Sequence, residues 1–232
     1  MATKPPPATP PLAWLLLMLS ATTGLVDAAS ILGLGKVFTA NMTGNIVFLG
    51  FAAAGAPGFT WQPYVVALLT FMAGALVAGR LAVSQNGKPL RGWLIRSALV
   101  ETALLWIAAG VALGLELGSP DPARVFAIIA LTAIAMGFRN ATIRQLKVPD
   151  LTTTVLTLTI TGIAADSALA GGTNPNWIRR FGAVAAIFAG ATIGALLISR
   201  FGLTAPLALA GAAVLIGTLI CVRHETPQST TH

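Results

Sequence analysis

Asp27, Glu101 and Arg139 are the side chains whose type and setting could do chemistry, because each places a full charge inside an otherwise apolar run. At the centre of a membrane helix such a charge costs ~2.5–3.5 kcal/mol on insertion scales, so it must face a cavity, meet a counter-charge or, for a carboxylate, keep its proton. Asp27 lies late in the first apolar run, and Arg139 stands near the matching place in the second half of the chain. The two are a candidate charged pair within a proton or substrate site. The structural alternative is an ion pair that only joins helices, or two residues at opposite interfaces that never meet. Glu101, in "RSALVETALLW", is either a second intramembrane carboxylate that could couple transport to protons or a group solvated near the surface.

Two polar clusters open short apolar segments. Asn41, Thr43, Gly44 and Asn45 fall in "FTANMTGN", and Thr152, Thr153, Thr154 and Thr157 in "LTTTVLTLTITG". Each follows a helix-breaking stretch, "GLGK" or "KVPD", where glycine weakens a helix and Pro149 cannot donate a backbone hydrogen bond. Irregular backbone at membrane depth persists only when buried in protein or lining a cavity. Free N–H groups at a helix start carry partial positive charge, and Thr and Asn add donors and acceptors. The candidate substrate-binding set is therefore Asp27, Asn41, Thr43, Asn45, Arg139, Asn140, Thr153, Thr154 and Thr157, with Asp27 and Glu101 as candidate proton-coupling groups. Alternatively, Thr and Asn cap these helices and join them to neighbours.

Other chemistry finds no support. Cys221 is the single cysteine, so an intrachain disulfide or cysteine metal cluster is excluded, and His224 and His232 sit in a polar tail. No GxxxxGK, HExxH, CxxC pair or GxSxG is present. The expectation is a protein that is not an enzyme and needs no metal or cofactor. A lipid-directed membrane enzyme is the weakest reading, because no nucleophile is set up.

The elements that must position these residues follow from composition. Hydrophobic residues make up 56% of the chain and charged residues 9%, against about a quarter charged in ordinary soluble domains. Mean hydropathy is +0.83. A soluble fold of 232 residues could not hide that much apolar surface. The net charge of +7 is scattered between apolar runs, so it reads as a topology signal facing an anionic leaflet; no contiguous basic face for nucleic acid exists. Apolar segments are expected at 12–32, 38–55, 62–83, 93–117, 123–145, 151–170, 177–199 and 203–222. Most reach the ~20 residues that cross ~30 Å of hydrocarbon. Eight crossings with the N-terminus outside place nine of the 14 basic residues in the cytoplasm. Six crossings, with segments 38–55 and 151–170 re-entrant or half-crossing and both termini inside, place eleven of the 14 there. The positive-inside bias favours six. Trp14, Trp61, Tyr64, Trp93 and Trp177 lie near segment starts, where interfacial rings are expected.

A shift of 113 residues sets Gly24 on Gly137, Asp27 on Asn140, Ala28 on Ala141 and Thr39 on Thr152. With three spans per half, the expectation is an all-α integral membrane protein with an inverted 3+3 repeat. A tail at 1–11 precedes repeats at 12–117 and 123–222, and a tail at 223–232 follows. Gly110, Gly114 and Gly118, and Gly190 and Gly194, are spaced for close helix contact, within the chain or in a homodimer.

The stretch "GLVDAASILGLGKVFTANMTGNIVFLG", together with "TTTVLTLTITGIAAD", resembles the YoaK family of bacterial membrane proteins, over about Leu12 to Val222. The resemblance implies a multi-pass protein of the bacterial inner membrane and carries no established activity. Resemblance and residues together lead to the expectation of a small transporter or channel for a small solute or ion, its site at the midplane between the two broken helices. The other class is a non-transporting membrane scaffold or assembly factor.

Overall fold

The computed structural model describes residues 10–84, 90–116, 120–146 and 156–224. Long apolar runs bounded by Gly, Pro and charge become α1 (Pro10–Gly33), α3 (Trp61–Ser84), α4 (Leu90–Val111), α5 (Pro122–Leu146), α7 (Trp177–Phe201) and α8 (Thr204–His224). Among the described residues these are six helices long and apolar enough to cross a membrane. Two shorter apolar helices are α2 (Met42–Ala53), at the first polar cluster, and α6 (Leu156–Ala165), which carries Thr157 of the second; Thr152, Thr153 and Thr154 lie outside the described residues. At 12 and 10 residues they are roughly 18 and 15 Å long, about half the hydrocarbon thickness.

The helix boundaries follow local chemistry. α1 runs unbroken through Asp27 and stops at Gly33. Gly35 and Lys36 then adopt positive φ values of 88° and 62° and turn the chain into an extended stretch before α2. Lys36 pays for that left-handed turn in strain, and its ammonium lies 5.5 Å from the Phe59 ring centroid. Arg124, near the start of α5, donates through Nε and Nη2 to the carbonyl of Val111 at 2.9 and 2.6 Å. It thereby satisfies a C-terminal carbonyl of α4.

Packing joins the two halves of the chain. α1 lies on α7, α3 on α5, and α4 on α8; α1 also meets α8, and α4 meets α5. The short helices lie on the following long ones, α2 on α3 and α6 on α7. α7 also meets α8, and apart from that contact, which has no comparable α3–α4 counterpart among the described residues, the pairings map onto themselves when α1–α4 are exchanged with α5–α8. Glycines permit the closest crossings. A Cβ on Gly190 would lie 1.9 Å from the Ala21 carbonyl oxygen, and one on Gly24 would lie 2.2 Å from that of Ile187. At the other crossing, a Cβ on Gly137 would lie 2.0 Å from Phe71 O and one on Gly74 2.2 Å from Ile134 O. Gly190 and Gly194 are thus used inside the chain, against α1. A Cβ on Gly110 would meet nothing within 4 Å, and Gly114 lies beyond the end of α4 with φ of +67°. Gly118 lies outside the described residues.

Of the five aromatic residues expected at interfaces, Trp14, Trp61 and Trp177 are exposed. Tyr64 and Trp93 are buried. Tyr64 packs on Phe48 of α2 with centroids 5.7 Å apart, and Trp93 lies 6.4 Å from Phe138. Each ring serves a helix contact rather than a lipid headgroup.

Gly190→Ala is expected to lower thermal stability in detergent by about 1–3 kcal/mol through overpacking against backbone. Gly110→Ala is expected to leave it unchanged or slightly raised. Equal loss in the two would show that these crossings are not the tight points of the bundle.

Candidate functional site

Three helices converge on one charged pair. α5 presents Arg139 and α4 presents Glu101, at 2% and 4% exposure. Arg139 Nε donates to Glu101 Oε1 at 2.6 Å, and Nη2 closes on the same oxygen. Nη1 turns to α1, donating to the carbonyl of Leu19 at 3.1 Å and to Thr23 Oγ1 at 3.0 Å. One guanidinium therefore ties α5 to both α4 and α1. Removing either partner of such a pair leaves a buried charge uncompensated, which costs about 3–5 kcal/mol.

The expected Asp27–Arg139 pair is corrected by this geometry. α4 packs on the α5 face that carries Arg139, so Glu101 takes the guanidinium. At that level α1 offers Leu19 and Thr23; Asp27 comes one turn later and is held by Asn41, whose Nδ2 donates to Oδ2 at 2.6 Å. Asp27 Oδ1 is buried without a hydrogen-bond partner, as is the hydroxyl of Thr39 in the adjoining stretch.

The first polar cluster divides into distinct roles. Asn41 is the N-cap residue of α2, yet its side chain makes no cap hydrogen bond and reaches Asp27 instead. Asn45 is fully buried, accepts from the Phe38 N–H at 2.9 Å and donates to the Phe38 carbonyl at 2.6 Å. Its amide thus satisfies both backbone groups of a residue that lies outside any helix. Thr43 is exposed on α2. In the second half, Asn140 Nδ2 donates to the carbonyl of Met136 at 2.8 Å on its own helix. Thr157 is exposed on α6, and Thr153 and Thr154 lie outside the described residues. The structure therefore joins Asp27 to Asn41 and Arg139 to Glu101.

Several polar residues of the site were not singled out by sequence reasoning. A cavity of about 30 Å³ lies beside the Glu101–Arg139 pair, lined in part by Ser97, Thr142 and Thr218. That is room for one or two waters. The hydroxyls of Ser97 and Thr142 are buried and have no hydrogen-bond partner. Helical spacing was the available signal: Ser97 precedes Glu101 by four residues and Thr142 follows Arg139 by three, so each shares its charged neighbour's face. Arg180 on α7, counted in the sequence only as a topology charge, is buried and donates through Nη1 to the Gly162 carbonyl at 2.6 Å and to Asp166 Oδ2 at 2.7 Å. It holds the C-terminal end of α6 against α7.

Arg139→Met alone is expected to destabilise the protein by about 3–5 kcal/mol, and Glu101→Met with Arg139→Met to recover most of that loss. A double-mutant cycle on thermal unfolding in detergent measures it; additive losses would show that the two side chains do not act as a pair. Asn45→Ala is expected to cost about 1–3 kcal/mol by leaving the Phe38 backbone groups unsatisfied, read by the same melt. An unchanged midpoint would mean that water replaces the amide there.

Comparison with known proteins agrees with this architecture. The model of the family described as "Protein of unknown function (DUF1275)" matches residues 15–220. The UPF0700 transmembrane protein YoaK of Bacillus subtilis (strain 168) is 30% identical over 152 residues, a match covering 66% of this chain and 65% of that protein. No solved structure matches. With six apolar helices of spanning length among its described residues and a family match over nearly its whole length, this chain is a multi-pass membrane protein that belongs to the DUF1275 family.

Proposed function

We propose that this chain is a small secondary transporter for a small solute or ion, with its site in the polar centre of the α1, α4, α5 and α8 cluster. The observation that carries this reading is the Glu101–Arg139 pair beside a cavity with two unpartnered hydroxyls. A charged pair serving stability alone is weakly motivated, because apolar residues of similar volume would hold the helices at least as well. Charged groups facing an interior cavity in a membrane bundle commonly mark a path for substrate, ions or protons. Asp27, one turn beyond Thr23, extends the polar line along α1 toward α2. The reading includes an inverted 3+3 repeat in the plasma membrane with both termini cytoplasmic. The helix pairings, which persist when the halves are exchanged except for α7 on α8, support the repeat.

The proposed site differs from the one expected between two opposed half-helices. α2 reaches the charged centre only through Asn41 and Asp27, and the centre lies among long helices. The short helices act in this reading as supports that position Asp27 and hold α3 and α7.

Solvent access tests the proposal. In a Cys221→Ala background, single cysteines at positions 27, 97 and 142 are expected to react with a membrane-impermeant methanethiosulfonate in intact membranes, while one at Ala133, fully buried, stays silent. Silence at all four positions in correctly inserted protein would favour a scaffold with a dry, packed interior.

A further inference from the structure

We propose that the cavity beside Glu101 and Arg139 is a binding site for a small monovalent anion, taken up together with one proton on Glu101. The inference rests on the transport reading and names its cargo.

The donors are in place. Ser97 and Thr142 are more than nine-tenths buried, line the cavity, and have hydroxyls without hydrogen-bond partners. Arg139 lines the same cavity with its nitrogens engaged by Glu101, Leu19 and Thr23, and Thr218 adds a hydroxyl from α8; leucines of α1 make up much of the remaining wall. Hydroxyls and a guanidinium suit an anion. The Glu101 carboxylate lines the cavity too, so it must take a proton before an anion can enter.

Charge balance sets the stoichiometry. Glu101 now neutralises Arg139, and burying an anion beside a neutral pair would leave one net negative charge in a low-dielectric interior. Both guanidinium contacts fall on Glu101 Oε1, so Oε2 is left to carry a proton. Protonated Glu101 makes the centre singly positive, and a monovalent anion restores neutrality. Release of the anion returns the proton, and the Glu101–Arg139 pair re-forms. The charged groups around this centre are Asp27 on α1, Glu101 on α4 and Arg139 on α5, and α8 contributes Thr218 to the cavity lining. Asp27, already held by Asn41, is not among the residues that line the cavity. The space for one or two waters limits the anion to a few atoms unless the helices part.

The test uses the full-length chain in proteoliposomes loaded with a pH-sensitive dye, with potassium and valinomycin fixing the membrane potential. Chloride, bromide and nitrate gradients are applied in turn. The expected result is acidification of the lumen driven by at least one inward anion gradient, at a rate independent of the imposed potential and absent from protein-free vesicles. Ser97→Ala with Thr142→Val is expected to weaken the apparent anion affinity at least tenfold. Glu101→Gln is expected to keep anion uptake, followed with isotopic chloride, but to make it potential-dependent and without proton movement. Anion flux without proton movement in the unmodified protein overturns the coupling. Absence of flux for all three anions overturns the inference; if positions 97 and 142 still label from water, the transport reading survives with another cargo. Loss of both signals removes both.

Discussion

A membrane interior offers no water to a charge, and the placement of Arg139 follows from that single constraint. Its guanidinium reaches Glu101 on α4 and both Leu19 and Thr23 on α1, so three helices are fixed relative to one another by one side chain. The apolar layers above and below can slide or repack at modest cost, because lipid and protein solvate them alike. The charged junction cannot. Helix register in the centre of the bundle is set there, and the glycine crossings of α1 on α7 and α3 on α5 then bring the outer helices in as far as backbone contact.

The same scarcity of water governs the irregular stretch between α1 and α2. A chain that leaves a helix at membrane depth exposes backbone groups, and here the Asn45 amide answers both groups of Phe38 while Asn41 serves Asp27. The asparagines thus do different work, although they are neighbours in one short motif. Aromatic contacts of Phe48 with Phe38, Phe59 and Tyr64 seal this region against α3.

Much of this architecture is legible in the chain itself. Apolar length marks all six long helices, since in lipid the backbone has few alternatives to a helix, though α4 ends at Val111, short of the 117 expected. The two short helices were marked by their Thr, Asn and Gly content. Partner choice was not legible: Asp27, Glu101 and Arg139 were each visible as charges within apolar runs, but whether they are buried and which carboxylate meets the guanidinium depend on which helix faces α5, and no local pattern encodes that. Ser97 and Thr142 were overlooked for a related reason. A single hydroxyl in an apolar helix ordinarily bonds to its own backbone, as Thr132 does, and only the tertiary structure separates those from hydroxyls left without a partner.

The cross-pairing of the halves has a bearing on biosynthesis. Glu101 is made 38 residues before Arg139, and α1 waits for α7, most of the chain away, to cover Gly24. The first half therefore resides in lipid with Glu101 lacking its guanidinium and with bare glycine faces until the second half arrives. Its helices can be inserted in sequence, but they cannot be assembled in sequence. The nascent chain passes through a stage in which its own later segments are the ligands it lacks.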